Sequence, residues 1–388
     1  MRYTEPQTIV QGREALGNLE GDNPDRFFSF SESPAQRTIL AAGEAGKPSI
    51  VVMPNGDIVL SYIKGYNLAN NPPVGERMEI IISSDGGATW SAPVRATQSP
   101  HNDREGYLTL MPDGSLVLGY MRVMAHVDPA HPWQGPFLCR STDGGRTWSE
   151  PWQVDISRFC PAGPFGCADR GHIVLPDGRF LFFVGTYEKP RRPKDYVLVS
   201  WDMGRTFPEH HQVSEIAGDS SFTLHPSGKL VGALRINGDD YPFPGAHSEL
   251  AGREEAVHFL GLVESLDQGK TWSAPSVVTQ YNEIPGHITT LHDGRLLLAF
   301  GVRHHPLSIQ AMVSDRTGTR WNTGGRLLLA WTGERFRLAD GRYRHAIGHP
   351  YTVQLPDGRL LTAYYRLADP SDGASCQVEA LFWNLPEG

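Results

Sequence analysis

Six residues at one repeating position are the first sign of chemistry in this 388-residue chain. A turn of the form Pro-Asp-Gly, or a near variant, recurs at Pro54-Asn55-Gly56, Pro112-Asp113-Gly114, Pro176-Asp177-Gly178, Pro226-Ser227-Gly228, His292-Asp293-Gly294 and Pro356-Asp357-Gly358. Seven residues before the first residue of each turn stand Lys47, Glu105, Asp169, Asp219, Pro285 and His349. Five of these six are ionisable, although Asp, Glu, Lys and Arg make up only 20% of the chain. Ionisable groups at the start of a buried strand are costly unless they are paired or used. Beyond the turns, at the far ends of the second apolar runs, lie Lys64, Arg122, Glu188, Arg235, Arg303 and Arg366. Arginines there could hold a carboxylate through paired N–H donors. Carboxylates beside a histidine could divide acid and base roles between groups whose pKa values are pushed apart.

The elements that must position these residues are equally repetitive. Each turn joins two apolar runs: Ser49–Tyr62, Tyr107–Tyr120, His172–Val184, Ser221–Arg235, His287–Phe300 and Tyr351–Tyr364, with successive turns 58, 64, 50, 66 and 64 residues apart. Each pair reads as a hairpin whose Gly supplies a positive φ. A second repeat is interleaved: Ser83-Ser-Asp-Gly-Gly-Ala-Thr-Trp90, Ser141-Thr-Asp-Gly-Gly-Arg-Thr-Trp148, Ser200-Trp-Asp-Met-Gly-Arg-Thr-Phe207 and Ser265-Leu-Asp-Gln-Gly-Lys-Thr-Trp272, with a degenerate copy at Ser314–Trp321. Its Asp and Ser side chains are expected to bond nearby backbone amides and close a turn between the two outer strands of each unit. Asp85, Asp143, Asp202 and Asp267 are therefore assigned structural roles.

Six such units predict an all-β fold: a six-bladed β-propeller of four-stranded antiparallel blades, one domain over residues 1–388. In that architecture the starts of the innermost strands open onto one face, so the repeat-position residues should converge on one pocket. The sixth unit has no second motif, and only one strand, Val378–Trp383, follows its hairpin. The segment around Gln7–Gln11 is expected to supply the missing outer strand and close the edge.

Composition narrows the rest. Acidic residues outnumber basic ones 43 to 35, which gives no electrostatic case for a nucleic-acid or anionic-membrane partner. No apolar stretch approaches the roughly 20 residues of a membrane span. The start, Met1-Arg-Tyr-Thr-Glu-Pro, lacks an apolar signal region, so the expected location is cytoplasmic unless an export signal has been removed. Cys139, Cys160, Cys167 and Cys376 show no zinc spacing; Cys160 and Cys167 could close a small disulfide loop, or all four are buried thiols. No metal or cofactor is expected. Adjacent His304 and His305 diverge on a strand and make a poor ligand pair.

The interleaved S-x-D-x-G-x-T-W motifs look like Asp-boxes, and the whole chain resembles the sialidase superfamily, glycoside hydrolases that remove terminal sialic acids. The resemblance implies three arginines on the sugar carboxylate, a Tyr activated by a Glu as nucleophile, and an Asp as acid/base. In bacterial sialidases the Glu lies in Asn-Glu-Ser and an Arg follows sixteen residues later. Gly218-Asp219-Ser220 and Arg235 match that spacing, which makes Asp219 the activating carboxylate and Arg235 the second arginine. Arg303 takes the place of the third. The nucleophile position holds His349, with Tyr351 two residues on. Where the family has Arg-Ile-Pro, this chain has Gly46-Lys47-Pro48. The first-blade loop from Lys64 to Met78 offers Glu76 in place of the acid/base Asp.

The leading expectation is a glycosidase that releases a terminal acidic sugar: sialic acid, a related nonulosonic acid or a uronic acid. Arg235, Arg303 and Lys47, with Arg170 and Arg366, would bind the substrate. His349 or Tyr351, polarised by Asp219, would be nucleophile or base, and Glu105 or Asp169 would donate the proton. A lyase that eliminates across a uronic-acid linkage could use the same arginines with a histidine and a tyrosine, with His172, His287, His304, His305 and His345 as further histidine candidates. A non-catalytic carbohydrate-binding propeller is the third reading.

Overall fold

The computed structural model describes residues 8–12, 32–69, 75–124, 133–161, 166–188, 192–237, 258–280, 282–303, 307–332, 336–337, 343–344, 346–368 and 374–386. Among these there is no helix, and the strands form six antiparallel blades. Blade one runs Ala45–Val52, Ile58–Lys64, Arg77–Ser83, Val94–Arg95, from the innermost strand outwards. Blades two to five repeat that order with innermost strands at Asn102–Leu110, Gly166–Ala168 with Ile173–Val174, Ser221–Leu224 and Glu283–Thr290.

Blade six takes three strands from the C-terminal part of the chain, Ile347–Gln354, Leu360–Leu367 and Cys376–Trp383. Its outer strand comes from the N-terminal side, as anticipated, but from Glu32–Ala41 and not from the segment around Gln7–Gln11. Thr8–Gly12 instead pairs on one side with Glu32–Ala41 and on the other with the outer strand of blade five, Arg326–Thr332. The two blades thereby join into one nine-stranded sheet. An unpaired edge needs covering, and the N-terminal side of the chain meets that demand. The strand that meets it could not be chosen from apolar pattern alone.

The second strand of each blade is buried on both faces, as in Ile58–Ile63 and Leu296–Val302. Blades stack face to face, so these strands read as continuous Val, Ile, Leu and Phe runs. Phe183 of blade three stacks on Phe222 of blade four with ring centroids 3.8 Å apart, one of several such contacts between neighbouring blades. The six turn glycines share a φ of 81–91°, which explains why Gly recurs there and the preceding two residues vary.

The second repeat also closes as expected. Ser83 donates to Asp85 Oδ1 (2.8 Å), the Gly87 amide donates to Ser83 Oγ (2.9 Å), and Asp85 accepts from the Thr89 amide and hydroxyl. The same bonds recur around Asp143, Asp202 and Asp267. Register fixes which end of the blade they occupy: Ser83 pairs with Ile58, next to the hairpin turn, whereas Arg77 pairs with Lys64 at the other end. The boxes therefore lie on the turn side and the repeat-position residues on the opposite face.

Candidate active site

Four of the six innermost strands carry an irregularity where the repeat-position residue stands, while Asp169 lies between two strand segments and Asp219 just before its strand. Register slips occur between Gly46 and Ser49, Arg104 and Tyr107, Glu283 and Gly286, and Gly348 and Tyr351. At these bulges Lys47, Glu105 and His349 adopt left-handed φ values of 51°, 53° and 51°, and Asp219, just before its strand, has 64°. A left-handed conformation costs a non-glycine residue about 1–2 kcal/mol. Four such residues at one structural position mark a site that packing alone does not require. A bulge re-aims the side chain, and here the re-aimed side chains meet across the blades.

Lys47 bridges to Glu105 Oε1, and Glu105 Oε2 accepts from the Tyr107 hydroxyl at 2.9 Å. Arg104 stands 3.2 Å from Glu76 and 3.9 Å from Glu105. Asp219 is held between two arginines: Arg170 bonds its Oδ1, and Arg235 donates to Oδ2 at 2.9 Å. The second Nη of Arg235 reaches His258 Nε2 at 3.0 Å. Arg170 also donates to the Asp219 and Gly286 carbonyls (3.0 and 3.3 Å) and to His349 Nδ1 (3.3 Å). Arg303 is close enough for its charge to act on both His258 and His349. Tyr365 lies beside His349, centroids 5.7 Å apart, and Tyr66 beside Tyr365 at 5.2 Å. The Tyr66 ring fills the place of a Gly46 side chain, since a Cβ there would fall 2.2 Å from it.

The charges follow from this packing. Burial alone would raise the Asp219 carboxyl, but Arg170, Arg235 and Lys47 outweigh it and hold the group down at about 2. Glu105 is likewise kept ionised against burial by Lys47 and Arg104. Burial dominates at Glu76 and pushes its carboxyl up despite Arg104 and Lys47. His349 is driven well below the usual imidazole range by burial and then by Lys47, Arg170, Arg303 and Arg235. His258 falls to about 3 for the same reasons.

Of the residues read from the sequence, Lys47, Glu105, Asp219, Arg235, Arg303 and His349 come together. Arg170 belongs to the cluster but is 2% exposed, with all its Nη hydrogens directed at protein groups. Asp169 lies beneath, 1% exposed, beside Asp195; Ser220 links them, its amide bonding Asp169 at 3.0 Å and its hydroxyl bonding Asp195. Tyr351 stands past the bulge, stacked on His287 at 3.7 Å inside the core. Arg366 points to Glu379 at 4.0 Å, Arg122 to Asp103 at 2.7 Å, and Lys64 to loop carbonyls. His172 and His287 are buried and accept backbone N–H bonds through Nδ1. His304, His305 and His345 lie outside the described residues. All four cysteines are buried.

Sequence reading missed Arg104, Tyr107, Asp195, His258, Tyr66 and Tyr365. Arg104 and Tyr107 flank Glu105 and could have been found by extending the repeat alignment. His258 opens a third strand after a long insertion, where no repeat frame remains. Among the described residues, no group of three or more His, Cys, Asp or Glu is placed to hold a metal. An apolar groove of about 410 Å³, lined by Pro54, Met111, Pro112, Leu175 and Pro176, lies at the turn end and carries none of these groups.

Six blades, Asp-boxes on one face and a cluster of arginines and carboxylates on the other define a sialidase-like Asp-box propeller. The chain belongs to the BNR repeat-like domain family, whose model matches residues 104–323. No curated protein matches it. Among solved structures it is similar to a protein of unknown function from Dyadobacter fermentans (21% identity, TM-score 0.68, covering 90% of this chain and 99% of that one). It is also similar to the Hadza microbial sialidase Hz136 (18%, 0.60, 86% and 65%) and to the NanB sialidase of Streptococcus pneumoniae (10%, 0.62, 95% and 73%). A Trypanosoma rangeli sialidase, solved with 2,3-difluorosialic acid as a covalent intermediate, aligns at 14% identity and TM-score 0.61; this chain spans 59% of its length.

Proposed function

We propose that the protein is a glycoside hydrolase that releases a terminal acidic sugar, a sialic acid or a related nonulosonic or uronic acid. One observation carries this reading: Lys47, Arg104, Arg170, Arg235 and Arg303 converge on one face, and among the described residues the carboxylates held ionised there are Glu105 and Asp219. The excess of cationic groups suits an anionic ligand. Arg235, a quarter exposed, and Arg303, also partly exposed, would take its carboxylate. Asp219, ionised at any working pH, would face the positive charge that develops at the anomeric carbon. Glu76 is the carboxyl that burial favours in its protonated form, and it would protonate the leaving oxygen. Glu105, kept ionised by Lys47 and Arg104, suits that task less well, and Asp169, as enclosed as Glu76 and also pushed up by burial, is the alternative donor.

A second reading is supported by His349, Tyr365 and Tyr66 standing side by side: a histidine and tyrosines next to arginines are the groups a uronic-acid lyase would use. The test is a panel of chromogenic glycosides of sialic, nonulosonic and uronic acids with neutral sugars as controls, run on the protein and on Arg235→Ala. Turnover of acidic glycosides that falls in the variant supports hydrolysis, whereas an unsaturated, ultraviolet-absorbing product points to elimination. Preference for neutral sugars, or full activity in Arg235→Ala, overturns the carboxylate-binding assignment. Binding without any turnover would leave a carbohydrate-binding propeller.

A further inference from the structure

We propose that Arg170 is a positioning residue that fixes His349 as the neutral tautomer protonated at Nε2, so that His349 acts as an N–H donor to the ligand and not as a nucleophile or base. This goes beyond the hydrolase reading but shares its site. A guanidinium has only donors. Its contact with His349 Nδ1, at 3.3 Å, therefore requires a lone pair on that nitrogen. In a neutral ring the proton must then sit on Nε2. The guanidinium cannot turn away, because its other Nη hydrogens are engaged by the Asp219 carbonyl and carboxylate and by the Gly286 carbonyl, in blades four and five. Its face covers the Tyr107 ring of blade two at 5.5 Å.

The ring is equally constrained. His349 sits on a left-handed bulge, follows Gly348, whose Cβ would press on the Tyr365 hydroxyl at 3.1 Å, and precedes Pro350. No described protein group bonds Nε2, and the residue keeps 7% of its surface exposed. The cations Lys47, Arg170, Arg235 and Arg303 oppose a second proton on the ring, and the nearby carboxylates Asp219 and Glu105 are themselves paired with Arg170, Arg235 and Lys47. A neutral imidazole whose only proton faces outward cannot take a proton or attack through that nitrogen. It can donate a hydrogen bond to an anionic oxygen, beside Arg235 and Arg303. The position at which the sialidase pattern puts a nucleophile is thus occupied here by a donor.

The test is read in the unliganded protein, so it does not depend on any substrate. Long-range ¹H–¹⁵N spectra of ¹⁵N-histidine-labelled protein, with His349 assigned by its loss in His349→Gln, should show a neutral Nε2–H ring unchanged from about pH 5 to pH 8. Arg170→Lys should shift His349 towards a mixture of tautomers. A wild-type signal from the Nδ1–H tautomer or from imidazolium overturns the proposal, as does an Arg170→Lys protein that folds and keeps the wild-type signature. If Arg170→Lys does not fold, the wild-type spectrum decides. Failure of every acidic glycoside would sink the hydrolase reading and leave this result standing. Where turnover is found, His349→Gln, which keeps an amide donor, should lose no more than roughly 100-fold in kcat/KM, the loss expected of one hydrogen bond to a charged group. Complete loss would instead indicate a nucleophile or base.

Discussion

At the scale of single residues, the informative feature is four non-glycine side chains held in a glycine-like backbone conformation. Lys47, Glu105, Asp219 and His349 each bear strain in order to face one another, and their charges are set by that meeting. Replacing Arg235 with Ala removes one of the two partners of Asp219 and the more exposed cation; kcat/KM on an acidic glycoside should fall roughly 10–100-fold, as for loss of one or two charge-assisted bonds. A second prediction concerns the submerged pair. Burial above all, with the Asp219 charge adding to it, raises Asp195 to about 7, and Asp169 beside it is also raised. An unfolded Asp titrates near 3.9. Between about pH 4 and pH 7 this pair holds protons that an unfolded Asp releases, so its own contribution to stability declines as pH rises through that window, against the opposite contribution of His172, His258, His287 and His349, which burial keeps neutral. The urea midpoint of the protein relative to that of Asp195→Asn should therefore drop from about pH 5 to about pH 7.5. A midpoint difference that does not change with pH, or that rises with it, would contradict a protonated pair.

At the scale of the strand, the two ends of a blade do two jobs that do not interfere. The hairpin turn and the Asp-box close one end of the blade with local bonds, and the bulge opens the other. Ser141 shows how local the first job is: buried, it donates to Asp143 and accepts from the Gly145 amide at 2.8 Å. Ser141→Ala should cost about 1–2 kcal/mol and lower the melting temperature, while activity at low temperature stays at the wild-type level. A loss of activity without loss of stability would argue against separate roles for the two ends. Both the boxes and the turns were legible in the sequence, because their geometry is made by residues within eight positions of one another. The bulges were not, because a register slip is a relation between two strands and leaves no mark in apolar spacing.

At the scale of the whole molecule, stability rests on closing a ring. Glu32–Ala41 pairs along Cys376–Trp383, from Ala35 opposite Trp383 to Ala41 opposite Val378, and the ends of the chain are thereby tied into one sheet. Removing residues 1–41 should leave the third strand of blade six as an open edge, seen as aggregation by light scattering and a broadened thermal transition. A truncated protein that stays monomeric with a sharp transition would show that closure is dispensable. Arg170 performs the central counterpart of that closure: from blade three it bonds groups in blades four, five and six and covers a ring of blade two. Arg170→Met should accordingly lower stability by several kcal/mol, more than Arg235→Ala, because it leaves buried acceptors unpaired.

The residue position that opened the sequence analysis is the part the sequence alone determined. Repetition made six equivalent sites comparable within one chain, so the turns, the boxes, the number of blades and the ring position of Lys47, Glu105, Asp169, Asp219 and His349 could all be read without structure, although Asp169 lies beneath the cluster. Arg235 and Arg303 followed from their place at the ends of the hairpins. What the tertiary structure alone decided is which of these groups touch. Asp219 lies between Arg170 and Arg235 and not against His349, Tyr351 is stacked on His287 in the core, and Asp195 and His258 join from strands that no repeat aligned. Repeats are set by contacts within a blade, which are local in sequence. Beyond the contacts of Arg235 with Asp219 and His258 inside blade four, the site is set by contacts between blades, such as Lys47 with Glu105 and Arg170 with Asp219, Gly286 and His349, which only the closed ring brings within bonding distance.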